Sequence, residues 1–126
     1  MNKFVIRPVA SGFKFDLYAP NGEAIATSEV YDTRAACRKG LESVRKNAPA
    51  AKTEDLADPQ TAPLPNPKFE LFQDKTGGYR FRLRSRNGKI IAASERYSTR
   101  LACTAGIESV RKNAENAPVE EPHACK

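Results

Sequence analysis

Four arginines at alternate positions in "GYRFRLRSRNGK", Arg80, Arg82, Arg84 and Arg86, are the residues of this chain best suited to gripping another molecule. A guanidinium stays charged at any physiological pH and presents a planar fork of donors that matches phosphate and carboxylate oxygens. Side chains two apart on a strand share a face, so the alternation predicts the four cations on one side and Tyr79, Phe81 and Leu83 on the other. At roughly 3.3 Å per residue the row runs about 20 Å. Beside an exposed Phe72 it would make a polyanion site, with arginines on phosphates and the ring on a base. Two plainer readings stand against that one. Acidic groups of the linker or tail, such as Glu54, Asp55, Glu120 and Glu121, would lie against the row, or it is solvated and serves solubility.

A second candidate occurs twice, as "SEVYDTR" and "SERYSTR". Arg34 and Arg100 fall where a helix begins, and a cation in the first turn opposes the helix dipole. Glu29 and Glu95, five residues earlier, are expected to pair with them across the junction; the alternative is a ligand carboxylate or phosphate at the helix start. Little else is reactive. The single histidine, His123, sits near Cys125 without the four-ligand spacing of a zinc site. No glycine-rich phosphate loop or nucleophile elbow occurs. No catalytic residue, metal or cofactor is therefore expected. Cys37, Cys103 and Cys125 lack CxxC spacing, and Cys37 and Cys103 are read as small buried hydrophobes.

The elements that must position these groups are written twice. A shift of 66 lays residues 12–48 on residues 78–114 with about 22 of the 37 positions identical. Upstream, "KFVIR" matches "KFELF". Units of about 45 residues are too small to bury a stable core alone, so the two are expected to share one. The boundaries are 1–50 for repeat 1, 51–67 for a Pro/Ala-rich linker, 68–115 for repeat 2 and 116–126 for a tail. With 40% hydrophobic and 29% charged residues the composition is that of a globular chain. No apolar run is long enough to span a bilayer, and the start "MNKFVIRPVASGFKF" has no signal-peptide core, so a cytoplasmic location is expected.

Each repeat reads as a short strand, an alternating strand, a hairpin and a helix. Asn21-Gly22 and Asn87-Gly88 mark the hairpins. A three-residue loop ending in a glycine bulge is favoured, because it keeps Ile25 and Ile91 on the side of the aromatics. In that register the arginines face Ile90, Ala92 and Ser94, none of which offers a countercharge. Helices are predicted over Thr33–Lys46 and Thr99–Lys112, capped by Asp32 and Ser98 and ended by Asn47 and Asn113. Arg45, Lys46, Arg111 and Lys112 suit the negative end of the helix dipole. Gly40 and Gly106 each cost about 1 kcal/mol in a helix, and their recurrence points to a close backbone approach to the sheet. The charge is uneven: residues 68–114 carry 11 basic and 4 acidic groups, a surplus of +7 within the net +6 of the chain. The first-repeat counterparts of the arginine row are Lys14, Asp16, Tyr18 and Pro20, so the row is not demanded by the fold.

The doubled motif "NG…I…SExYxTR…AC…G[LI]ESVRKNA" resembles the YegP-like family of small bacterial proteins of unknown function. The resemblance implies an α+β fold: two tandem β-β-β-α-β repeats share one antiparallel sheet through exchanged C-terminal strands, with both helices packed on one face. It implies that Lys52–Asp55 and Val119–Glu121 are the exchanged strands, and it brings no activity with it. The expectation for this chain is a monomer with pseudo-twofold symmetry acting as a non-catalytic binding or interaction module of unknown ligand. Nucleic acid or another polyanion on the basic face of repeat 2 is the alternative, and an enzyme of unknown reaction a more remote one.

Overall fold

The computed structural model describes residues 2–121; His123 and Cys125 lie outside them. The chain runs β1 (Lys3–Val9), β2 (Gly12–Tyr18), β3 (Ala24–Thr27), α1 (Arg34–Asn47), β4 (Lys52–Asp55), β5 (Lys68–Gln73), β6 (Tyr79–Arg84), β7 (Ile90–Ala93), α2 (Arg100–Asn113) and β8 (Val119–Glu120). Eight strands form one sheet in the order β4-β5-β6-β7-β3-β2-β1-β8. Its centre is the pairing of β3 with β7 at Thr27 and Ala93, which are 66 residues apart and so occupy equivalent places in the two repeats. The pseudo-twofold axis passes there.

The strand after each helix joins the other repeat. β4 pairs with β5, and β8 with β1. Both pairings are parallel, so the sheet is antiparallel except at its two edges. Arginines near the helix ends hold the exchanged segments in place. Arg111 Nη2 donates to the Ala51 carbonyl at 2.7 Å, and its guanidinium lies 5.1 Å over the Phe69 ring. Arg45 Nη2 does the same for the Ala117 carbonyl at 2.6 Å, 5.5 Å over Phe4. These residues do more than complement the helix dipole.

Both helices cover one face of the sheet. Phe4, Phe15 and Leu17 of the first repeat and Phe69, Phe81 and Leu83 of the second are buried under Leu41, Val44, Ile107 and Val110 in one continuous core. Cys37 and Cys103 are free and fully buried within it. Burial, aided by nearby carboxylates, pushes both thiols up to about 11, so they pack rather than react.

The hairpins have the expected three-residue loop: Ala19 and Glu23, and likewise Ser85 and Lys89, close it by hydrogen bonds of 2.9 and 2.8 Å. Gly22 and Gly88 each adopt φ +87°, a conformation that favours glycine. Beyond the loop each third strand gains a bulge at Ile25 or Ile91, which buries two successive residues, Ile25 with Ala26 and Ile91 with Ala92. Arg82 therefore faces Ala93, not Ala92.

Two further details differ from expectation. The helix caps are Thr33 and Thr99, one residue after Asp32 and Ser98. Extended backbone at each threonine lets its hydroxyl accept from the amide three residues on, at 3.0 Å. As expected, α1 and α2 end at Asn47 and Asn113: each side-chain amide donates back to the Ser43 or Ser109 carbonyl at 2.8 Å, and after Asn47 the chain makes a single 3-10 turn, Ala48–Ala50. Finally, Gly40 and Gly106 make room for a tyrosine: a Cβ on Gly106 would stand 2.4 Å from Tyr97 Oη, and one on Gly40 would stand 2.2 Å from Tyr31 Oη.

Candidate functional site

The doubled serine-glutamate-tyrosine motif is structural. Ser94 Oγ accepts from the Phe81 amide at 2.9 Å and donates to the Glu95 carbonyl at 2.7 Å, and Ser28 repeats this with Phe15 and Glu29. Tyr97 stacks on Phe81 with ring centroids 6.3 Å apart. Arg100 pairs with Asp55 at 3.3 Å and Arg34 with Glu121 at 3.1 Å, in place of Glu95 and Glu29. The compensating carboxylates come from or just beyond the exchanged strands, so these pairs join the repeats.

Three arginines of the row, Arg80, Arg82 and Arg84, lie on the open face of the sheet, and all three have carboxylate partners. Register sets Glu70 of β5 opposite Arg82. Its Oε1 accepts from Arg82 Nε at 2.6 Å and Arg84 Nε at 2.8 Å, while Lys68 Nζ stands 3.6 Å from Oε2. Burial raises the Glu70 pKa, but the bonds from Arg82 and Arg84 outweigh it and hold the carboxyl below its ordinary value. Arg80 donates to Asp74 at 3.1 Å. Bonds from Thr76 first, then from Arg80 and the Gly78 amide, lower Asp74 to about 2 despite some desolvation. Phe72 is half-buried under the Arg82 guanidinium at 4.6 Å, not exposed. The acidic groups expected against the row serve elsewhere: Glu54 binds Lys68 at 2.7 Å, and Glu120 binds Lys3 at 3.0 Å.

Arg86 stands apart. It belongs to the hairpin loop and lines a cleft of about 660 Å³ between that loop and the last turns of α1, together with Ser43, Lys46, Asn47 and Asn87. An adjoining cavity of about 270 Å³ shares Ser43, Ser85 and Asn87 and continues to Lys39, Lys89, Tyr31 and Ile91. Lys39 and Lys46 are seven residues apart, two helical turns, which puts them on one side of α1 about 10 Å from each other. Lys39, Lys46, Arg86 and Lys89 make no ion pair among the described residues. The acid in the cleft, Glu42, is engaged by Arg45 at 2.7 Å and Arg38 at 3.2 Å. Desolvation raises its pKa, but those two guanidinium bonds outweigh it and hold the carboxyl down.

The pseudo-symmetric cleft, between α2 and the first hairpin, measures about 360 Å³ and is lined by Pro20, Ala105, Ser109 and Lys112 among others. Counterparts of Lys39, Lys46, Arg86 and Lys89 are Ala105, Lys112, Pro20 and Glu23. One scaffold position thus carries four cations in one copy and a single lysine with a glutamate in the other.

Fold and repeat together define a class: tandem β-β-β-α-β proteins with one shared sheet, strand exchange and an uncovered sheet face. The domain of unknown function DUF1508 matches this chain twice, at residues 9–55 and 74–121, and the chain belongs to that family. The UPF0339 protein plu2779 of Photorhabdus laumondii is 37% identical over 109 residues, which cover 86% of this chain and 82% of that one. A UPF0339 protein of Treponema denticola is 52% identical over 54 residues, 43% of this chain but 93% of its own length, and so matches about one repeat. The solution structure of Escherichia coli yegP, a protein of unknown function, superposes with a TM-score of 0.78 at 30% identity and covers 95% of this chain and 91% of that one. Among the described residues no helix is long and apolar enough to cross a membrane.

Proposed function

We propose that this protein is a non-catalytic binding module that holds an anionic ligand in the cleft between α1 and the β6–β7 hairpin, with Lys39, Lys46, Arg86 and Lys89 as its contacts. The observation that carries this reading is the gathering of four cations that have no carboxylate partner among the described residues, in one of two repeat-related clefts. Like charges held close without compensation cost stability, and a bound anion relieves that cost. Holding rather than turnover is favoured by the titrating groups. Glu42, Glu70 and Asp74 are held below the ordinary carboxylate range, and the Cys103 thiol and Tyr97 phenol are pushed up, away from the neutral range where general acids and bases work. Both exchanged strands return to the same chain, so the module is read as acting as a monomer.

A second reading places a polyanion on the open face against Arg80, Arg82 and Arg84. It is favoured by the terminal nitrogens of Arg82, which make no hydrogen bond among the described residues. Fluorescence anisotropy with a labelled single-stranded oligonucleotide, used as a generic polyanion, separates the two. With the cleft as the site, R86S/K89S weakens binding at least tenfold and reduces the log-log salt slope by about 0.7 per lost phosphate contact, whereas R80S/R82S/R84S leaves both near wild type. The opposite pattern supports the open face. Absence of salt-dependent binding at about 50 mM salt removes both readings.

A further inference from the structure

We infer that the ligand of this cleft is a small molecule that joins phosphate groups to a planar apolar moiety, the chemical class to which nucleotides belong; this rests on the anion-binding reading above. Two features of the adjoining cavities point to that combination. The cleft of about 660 Å³ at the end of α1 is lined by polar and charged residues, Lys46 and Arg86 among them, with Ser43, Asn47 and Asn87. Its neighbour of about 270 Å³ adds apolar residues to that lining. Ala36, Gly40, Ile91 and the Tyr31 ring form its floor, and Lys39 and Lys89 lie at its rim. Together the two volumes fall in the range that small-molecule sites occupy, about 300 to 1,000 Å³.

The apolar floor exists because of a packing device already described. Gly40 has no side chain, Tyr31 lies against it with Oη over the helix backbone, and the bulge turns Ile91 inward beside them. A flat group would lie on that floor, while the cations spaced along α1 and the hairpin take charges distributed over about 10 Å. A lone phosphate meets only part of this arrangement, and an uncharged ring only the other part. The repeat-related positions supply Tyr97, Ala102, Gly106 and Ile25, the same apolar set, but of the four cations only Lys112. The duplicated fold therefore builds the floor twice, and the sequence adds the full set of phosphate-binding groups once.

Calorimetry on the full chain, without divalent ions, tests this with ATP, inorganic tripolyphosphate and adenosine. The inference predicts that ATP binds at least tenfold more tightly than tripolyphosphate and adenosine more weakly than either. Ala36→Phe, which fills the floor from a partly exposed position, should bring ATP to the level of tripolyphosphate and leave tripolyphosphate unchanged. Should that variant fail to fold by circular dichroism, the three-ligand comparison on the wild-type chain still decides. Equal affinity for ATP and tripolyphosphate overturns the inference and leaves anion binding in place; no binding of either, with the oligonucleotide also inert, overturns both.

Discussion

Replacing Gly106 by alanine sets two effects of opposite sign against each other. Alanine in a helix interior is favoured over glycine by about 1 kcal/mol, so G106A should stabilise if the site were empty. It is not. The new methyl would stand 2.4 Å from Tyr97 Oη, 2.8 Å from its Cζ and 3.1 Å from Phe81 Cε2. The tyrosine has little freedom to withdraw, because it stacks on Phe81 and its backbone is bonded to Tyr79 at 2.7 and 2.8 Å. Overpacking of this kind costs about 1 to 3 kcal/mol, which with a clash this close exceeds the propensity gain. We expect G106A to lose about 1 to 2 kcal/mol in urea denaturation. On a Tyr97→Leu background the nearest atoms are gone, and the same substitution should be neutral or stabilising by up to about 1 kcal/mol, a coupling of about 2 kcal/mol in the double-mutant cycle. A wild-type chain made more stable by G106A would refute the account of the glycine as a seat for the ring.

Two other outcomes follow from the same geometry. Arg111→Ala removes a fork to the Ala51 carbonyl and the cover on Phe69; it should cost about 2 to 3 kcal/mol and speed amide exchange across Lys52–Asp55, with Arg111→Lys recovering only part of the loss. Unchanged exchange in that strand would show that the arginine does not hold it. Glu70 and Asp74 have folded pKa values below their unfolded ones, so the stability they contribute is complete above the ordinary carboxylate range. It is lost as the pH falls from about 4 toward 2. Glu70→Gln should lower stability at neutral pH and flatten its decline over that window, as read from urea midpoints at successive pH values.

Much of the architecture was legible because it is local and repeated. Asn21-Gly22 and Asn87-Gly88 announce the hairpins, and the 3.6-residue apolar spacing from Cys37 to Val44 and from Cys103 to Val110 announces the helices. The exchanged strands were legible only through family resemblance, since "KTED" and "VEE" have no strand pattern of their own. What stayed hidden depends on pairing between segments distant in the chain. The countercharge of the arginine row, Glu70, comes from β5, on the side of β6 away from β7, and no local pattern announces that pairing. The break between Arg84 and Arg86 comes from the hairpin, which ends the strand at Arg84. The cleft unites Lys39 and Lys46 of repeat 1 with Arg86 and Lys89 of repeat 2, so no motif within either repeat contains it. A signal did exist: of the four positions, the aligned repeats exchange a cation for Ala105, Pro20 or Glu23 at three and keep it only at Lys112.

The most direct measurement is an amide chemical-shift titration of the ¹⁵N-labelled chain with inorganic tripolyphosphate at about 50 mM salt. A cationic cleft that binds anions predicts saturable shifts confined to residues 39–47 and 85–91, lost in K46E/R86S. Shifts centred instead on β5 and β6, or a spectrum that does not respond, would contradict it.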